Sequence, residues 1–205
     1  MTVSSVVFDH SVYTIRRQVV RLFGAGFQIY SPDGQVVLHS EQKAFRLRED
    51  IRVYAEREQQ TEVLVIKARQ WLDFAAAYDV TDSATGELLG TFRRKGFRSL
   101  IRDQWQLADA AGNEIGLIQE DSTALAVARR LLPFADWIPQ SFHMTLGATA
   151  VCQFRQHFNP IVQRLTVDFS VDPSGSLDKR LGLAAGILLS AIEGRQHREV
   201  DVGDI

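Results

Sequence analysis

The sequence predicts a mainly β fold of the α+β type: a closed antiparallel barrel of roughly twelve strands wrapped around a central hydrophobic C-terminal helix, with one extra amphipathic helix. Turn signals recur about every 26 residues between short apolar runs, as in all-β meanders, sandwiches and barrels. Several of those runs alternate apolar with polar residues, and one segment near the carboxyl terminus is apolar on every face. A sheet of that many twisted strands tends to curl or close, because open edges favour aggregation.

Turn-forming residues punctuate the chain. Proline presets φ, Asn and Asp side chains bond nearby amides, and glycine tolerates a positive φ. The strongest signals are Ser31–Gly34, Thr81–Gly86, Asp109–Asn113, Gly147 and Asp172–Gly175, and Glu58–Gln60 is a weaker one. They delimit the predicted strands.

The runs between these turns have the character of strands. Leu165, Val167, Phe169 and Val171 alternate with polar residues, which is the period-two pattern of a half-buried strand. We predict roughly ten to twelve strands. The others include the segments around Phe27 and Ile29, Val36–Leu38, Ile51–Ala55, Val63–Ile66, Phe74–Val80, Leu88–Phe92, Glu114–Ile118 and Phe142–Leu146.

Two segments have helical patterns instead. Ser122–Leu132 is amphipathic, with Ser122 as a candidate N-cap, and Pro133 should end it. The second, Ser176–Gly194, has Ser176 or Asp178 as its candidate N-cap, and Gly194 is placed to end it.

The middle of the second helix, Leu181–Ile192, has no polar face and must therefore be surrounded by protein. Gly182 and Gly186 keep it slim, although each glycine costs about 1 kcal/mol in helix propensity. At about 1.5 Å per residue the run spans roughly 18 Å, short of a ~30 Å hydrocarbon core, so a membrane span is not expected. The lumen of a large barrel is wider than side chains alone can fill, and a thin apolar helix would fill it.

Composition narrows the class of protein. The chain has 205 residues, 45% of them hydrophobic. Its 23 Lys+Arg against 25 Asp+Glu argue against a global field that would attract nucleic acid or an anionic membrane, and leave room for local basic clusters. Its one cysteine, Cys152, cannot form an intrachain disulfide and is predicted to be a buried hydrophobe. No signal peptide is recognised, so we expect a cytoplasmic protein. We expect one domain over residues 8–195, with flexible tails at 1–7 and 196–205 and weak structure before Tyr13.

The order of several motifs carries a family resemblance. They are Tyr13–Ile15, Phe27–Gly34, Tyr78–Asp82 with Gly86–Gly90, Trp105–Asp109 followed by Gly112, and Leu177–Ala185. This order resembles the Tubby C-terminal-like superfamily and, within it, the LURP-one-related and phospholipid-scramblase-like proteins, over about residues 8–195. The resemblance implies a twelve-stranded barrel around a central helix.

The resemblance also implies a lipid connection. Tubby-like domains are associated with phosphoinositide-bearing membranes, and scramblases with calcium-dependent lipid movement. Asp168, Asp172 and Asp178 fall near the acidic segment of the scramblases but lack the dense oxygen spacing of a calcium loop. Because a cysteine cluster for acylation is also missing from the sequence, scrambling is not expected.

Two segments are candidates for contact with a membrane. The densest basic cluster is Arg93, Arg94, Lys95, Arg98 and Arg102, whose side chains could hold a phosphate or lipid headgroup or could simply form a solvated strand edge. Phe134, Trp137 and Ile138 could touch the membrane interface or could cap one end of the barrel.

Catalytic and metal motifs are missing from the sequence: it contains no Gly-x-Ser-x-Gly elbow, Walker loop or Gly-x-Gly-x-x-Gly. His143 and His157 have no Cys or Glu at ligand spacing, so neither a metal nor a cofactor is predicted. Two functions remain open. One is a non-enzymatic module that binds phospholipid headgroups or a membrane surface, and the other is a soluble scaffold that binds protein partners without a lipid role.

Overall fold

The computed structural model describes residues 7–20, 24–43, 50–55, 61–69, 77–94, 104–121, 140–157 and 162–199. Twelve strands and one helix, α1, lie in these ranges. They are β1 Val12–Val20, β2 Gly24–Tyr30, β3 Val36–Lys43, β4 Ile51–Ala55, β5 Thr61–Arg69, β6 Ala77–Asp82, β7 Leu88–Arg94, β8 Gln104–Ala108, β9 Glu114–Glu120, β10 Ser141–Leu146, β11 Thr149–His157, β12 Arg164–Asp168 and α1 Lys179–Glu199.

The strands form a closed barrel in which each pairs antiparallel with its neighbours in the chain. The first and last strands complete the circle, with Tyr13 opposite Val167 and Ile15 opposite Leu165. Closure leaves no exposed edge on this sheet, which removes the site where a second chain could add a strand. The predicted twelve-stranded antiparallel barrel is therefore confirmed.

Helix α1 fills the lumen. Each residue from Leu181 to Ala191 is buried. On one side Gly186 lies against Ile15 and Val167, and on another Leu181 lies against Gly90. The apolar surface of the helix and the inward side chains of the strands form one continuous core. The central hydrophobic helix predicted from Leu181–Ile192 is confirmed, because only a surrounding wall of protein can cover an apolar helix on all sides.

The two ends of α1 differ in how well the sequence predicts them. Asp178 is the N-cap: its Oδ1 accepts the amide N–H of Arg180 at 2.9 Å. At the other end the prediction was wrong, because α1 continues past Gly194 to Glu199. The glycine costs only about 1 kcal/mol in helix propensity, and the Arg and Gln residues after it are good helix formers.

Two other boundaries differ from the sequence prediction. Strand β12 ends at Asp168 rather than Val171, because the Asp168 carboxylate accepts the Ser170 N–H at 2.8 Å and begins a turn. The chain is structured from Val7 onward, earlier than predicted. The Tyr13 hydroxyl donates to the Val7 carbonyl at 3.0 Å and holds the segment before β1. Burial raises the pKa of this tyrosine. The predicted helix Ser122–Leu132 lies outside the described residues.

We expect Gly182→Ala to lower stability although alanine is the better helix former. A Cβ at this position would overlap Cε1 and Cζ of the Phe169 ring. That ring packs edge-on against Tyr13, with centroids 6.1 Å apart, and has little room to move. Overpacking costs about 1–3 kcal/mol and the gain in helix propensity offsets about 1 kcal/mol of it, so urea denaturation should show a net loss of up to about 2 kcal/mol.

The matched control is the double variant Gly182→Ala with Phe169→Leu, which removes the ring atoms that the new methyl meets. The methyl should cost less in the Phe169→Leu background than in the wild-type background. An increase in stability from Gly182→Ala alone would contradict this packing of α1 against the wall.

Candidate functional site

The predicted basic cluster begins at the end of β7, and the strand separates its first two members. Side chains on a strand alternate between faces. Arg93 is exposed on the outer wall, opposite Ala77 and Gln106, whereas Arg94 is half-buried and stands opposite the buried Trp105 on the lumen side. The structure therefore does not bring Arg93 and Arg94 together on one surface.

The other members of the two predicted surfaces lie outside the described residues. They are Lys95, Arg98 and Arg102 of the basic cluster, and Phe134, Trp137 and Ile138 of the aromatic segment.

The structure reveals a second group of basic side chains, which sequence reasoning missed. Arg16 on β1, Arg164 on β12, and Arg155 and His157 on β11 face outward where the first and last strands meet, and we call this group the seam cluster. Arg164 is the direct partner of Arg16 on one side and of His157 on the other. Arg155 lies two residues before His157 on the same strand and stands opposite Thr166, two residues after Arg164.

Backbone hydrogen bonding brings the two central arginines close. The amide N–H of Arg17 donates to the carbonyl of Gln163 at 3.1 Å. In an antiparallel ladder such hydrogen-bonded pairs alternate with non-hydrogen-bonded pairs, in which opposite side chains are closer. Arg16 and Arg164 therefore occupy a non-hydrogen-bonded pair, one step from Arg17.

Neighbouring groups restrain the cluster. The guanidinium carbon of Arg16 lies 4.3 Å from the centroid of the Tyr30 ring, a cation–π arrangement. The Tyr30 hydroxyl donates to Gln28 Oε1 at 2.7 Å, which fixes the ring beneath the arginine. On the other side His157 Nε2 is 2.7 Å from Thr166 Oγ1.

The two central arginines of the seam cluster, Arg16 and Arg164, form no ion pair among the described residues. Arg16 and Arg164 are cross-strand neighbours, and each has a buried Nε atom with no hydrogen-bond partner in this part of the chain. Arg155 likewise has no carboxylate partner there. The arginines that do form ion pairs among the described residues lie elsewhere: Arg52 with Glu62, Arg69 with Asp79, and Arg180 with Asp82 and Asp178. Like charges directly opposite on a sheet are destabilising, so this pair calls for an explanation.

A pocket of about 110 Å³ opens on the outer wall beside the cluster. Basic and acidic side chains line it together, among them Arg155, His157, Asp121 and Asp168. Both carboxylates are already engaged, Asp121 by His143 Nδ1 at 2.6 Å and Asp168 by a turn amide. Within the described ranges, no three His, Cys, Asp or Glu side chains converge as they would around a metal ion.

Asp33, Asp109, Asp172 and Cys152 have shifted pKa values whose causes are local hydrogen bonds or burial. A hydrogen bond from the Ser31 hydroxyl lowers the pKa of Asp33, and hydrogen bonds from Asn113 lower the pKa of Asp109. Burial alone would raise the pKa of Asp172, but the amides of Leu177 and Ser176 outweigh it and lower the value. Cys152 is buried as predicted, and burial raises the pKa of its thiol, so this cysteine does not have the thiolate character of a nucleophile.

The carboxylates near the proposed acidic segment are caps and turn acceptors. Asp168 accepts the Ser170 N–H, Asp172 accepts the Leu177 N–H at 2.8 Å, and Asp178 caps α1. A calcium site needs roughly six to eight oxygen ligands around one point. Each of these side chains is explained by the backbone amide that it binds.

Comparison with known proteins places the chain in context. A sequence model of the family described as LURP-one-related matches residues 11–190, a range that contains all twelve strands and most of the buried part of α1. No curated protein and no solved structure matches the chain. Within the described ranges, α1 included, no helix has the length and hydrophobicity that crossing a bilayer requires.

Proposed function

The chain belongs to the LURP-one-related family, and we propose that it is a non-enzymatic binding module whose outer wall contacts the anionic headgroups of a phospholipid surface. Membership is consistent with the Tubby-like superfamily suggested by the order of its motifs. A cytoplasmic protein with peripheral contact to the membrane fits this proposal. Phe134, Trp137 and Ile138 would add apolar contact at the interface, in the manner of other interfacial aromatic segments.

The observation that carries the proposal is the uncompensated arginine on the outer wall. Helix α1 fills the lumen, so a ligand of the described barrel must be met from outside. Arg93 is exposed there and has no ion-pair partner among the described residues. Fields from exposed charges are screened within about 10 Å at 0.1 M salt, so local arginines matter more to a headgroup than the net charge of −2.

We expect Arg93→Ala with Lys95→Ala to weaken binding to phosphatidylcholine vesicles that contain phosphatidylserine or a phosphoinositide. Each basic residue near an anionic surface contributes about 1 kcal/mol, so two should account for about 30-fold in partitioning. Arg94 is left unchanged, because its side chain is on the lumen side opposite Trp105 and its substitution could alter stability as well as binding. Co-sedimentation at increasing salt measures the effect.

The charge-matched control is Arg52→Ala with Lys67→Ala, two exposed positions on the outer face of β4 and β5. It loses the same formal charge and should bind almost as well as the wild type. Equal binding by the Arg93/Lys95 variant and the wild type would exclude this surface. Capture of a protein partner, with no vesicle binding by any variant, would favour the soluble scaffold instead.

A further inference from the structure

We propose that the seam cluster is a phosphate-binding site, separate from the region after β7, and that its ligand is a phosphomonoester. The juxtaposition that carries the proposal is Arg16 directly opposite Arg164, with His157 as the next neighbour. These residues come from three strands and form one outward row only because the barrel closes between its first and last strands.

Electrostatics gives the first argument. Two guanidiniums at a non-hydrogen-bonded position repel each other, and the described residues supply no carboxylate to either of them. Arginine is permanently charged, so the repulsion cannot be relieved by deprotonation. An anion shared by both arginines would relieve it.

The donor set gives the second argument and names the class of anion. The Nε atoms of Arg16 and Arg164 are covered and have no acceptor among the described residues, so the terminal guanidinium nitrogens are the donors that an anion on the outer wall would meet. A guanidinium presents its donors as a planar fork that matches two oxygens of a phosphate. A phosphomonoester carries about −1.5 to −2 charge at pH 7, which two arginines neutralise.

Preorganisation gives the third argument. The Tyr30 ring holds the guanidinium of Arg16 at 4.3 Å, so the side chain loses little freedom when an anion arrives. In the tautomer in which His157 Nε2 donates to Thr166 Oγ1, the Thr166 hydroxyl hydrogen is left as a neutral donor beside the row. The pocket of about 110 Å³ next to Arg155 and His157 leaves space for the group that the phosphate esterifies. Asp121 and Asp168 also line this pocket, each already hydrogen-bonded, so the space suits an uncharged group rather than a second phosphate.

The test uses thermal unfolding of the full chain in inorganic phosphate, at ionic strength matched with chloride. A ligand that binds only the folded state raises the melting temperature as its concentration rises. We expect a saturable rise for the wild type, and for Arg164→Gln a loss of affinity of about tenfold or more. Removal of the repulsion should leave Arg164→Gln no less stable than the wild type without phosphate, so a lost response would not reflect misfolding.

Two variants complete the design. Lys67→Gln removes one exposed charge from a distant wall and should keep the phosphate response. Arg93→Gln should also keep it, so failure here is distinguishable from failure of the vesicle proposal. Phosphate no better than chloride, or an Arg164→Gln variant with the wild-type response, would overturn the site.

The source of the phosphate is a further arm of the experiment. Glycerol 3-phosphate in solution is compared with vesicles that contain phosphatidic acid, whose headgroup is the same monoester. Dependence on Arg164 with the soluble ester alone assigns the site to a metabolite. Dependence with the vesicles as well assigns it to a lipid headgroup. Independence from Arg164 in both arms refutes the proposal.

Discussion

Leu188→Asp is expected to abolish folding of the barrel. Leu188 is 2% exposed and lies in the stretch of α1 that fills the lumen. The effective cost of burying an unpaired carboxylate is several kcal/mol, and loss of the leucine side chain adds about 2–5 more. The total approaches the stability of a typical domain, about 5–15 kcal/mol. Circular dichroism and limited proteolysis would detect the loss.

Two controls separate this result from general sensitivity to mutation. Leu188→Ala should stay folded and lose about 2–5 kcal/mol in urea denaturation. Thr149→Asp places the same charge at an exposed position of β11 and should change stability by less than about 0.5 kcal/mol. A Leu188→Asp variant that folds like the wild type would mean that α1 lies outside the barrel, and the architecture would fail with it.

The same helix shows why so much of the architecture was predictable from the sequence. A segment with no polar face and two glycines, Gly182 and Gly186, can only be a thin rod covered on all sides. Both glycines indeed face side chains of the wall that leave no room for a Cβ. Alternation of buried and exposed residues, such as that around Leu165 and Val167, predicted enough strands to surround this helix.

The seam cluster could not be predicted in the same way. Arg16 and Arg164 meet only through the pairing of the first strand with the last, and nothing local in either segment specifies that register. The sequence carried one signal. Arg16 follows the buried Ile15 and Arg164 precedes the buried Leu165, so strand alternation places both arginine side chains on the outer face. Register shifts between Ile29 and Tyr30 and elsewhere in the barrel show how quickly such a phase is lost when strands are matched by sequence alone.

The basic run that begins with the last two residues of β7 was predicted as one cluster because its members are close in the sequence. Adjacent residues of a strand point to opposite faces of the sheet, so the side chain of Arg93 points outward and that of Arg94 points inward. Adjacent arginines therefore argue for a shared site only where the chain is not a strand.

Asp82→Asn is expected to cause the second large loss of stability. Asp82 ends β6, its side chain is 8% exposed, and its Oδ2 pairs with Nη1 of Arg180 in the first turn of α1. Its other oxygen accepts the amides of Ala84 and Thr85 at 2.8 and 3.0 Å. The substitution leaves the amide contact to the turn but removes the charge. We expect a loss of about 2–3 kcal/mol at pH 7, moderated because Arg180 is 28% exposed and keeps Asp178.

The pH dependence of the stability difference between wild type and Asp82→Asn would show that the ion pair between Asp82 and Arg180 causes it. Burial alone would raise the pKa of Asp82, but the amides of Thr85 and Ala84 and the charge of Arg180 outweigh it and lower the value. A carboxyl with a lower pKa in the folded state stabilises that state above its unfolded pKa of about 3.9. The contribution is lost as the pH falls through the folded value, so the wild type should approach Asp82→Asn in stability on acidification below about pH 4.

Urea denaturation between pH 7 and pH 2.5 would measure this convergence, with Glu62→Gln as the matched control. Glu62 pairs with Arg52 at 2.6 Å across two strands, on the exposed face and away from α1. Its loss should cost less than that of Asp82, because exposed ion pairs are screened by water and salt. Equal losses from the two substitutions, or a gap between wild type and Asp82→Asn that does not narrow as the pH falls below about 4, would mean that the charge of Asp82 does not hold the helix in the barrel.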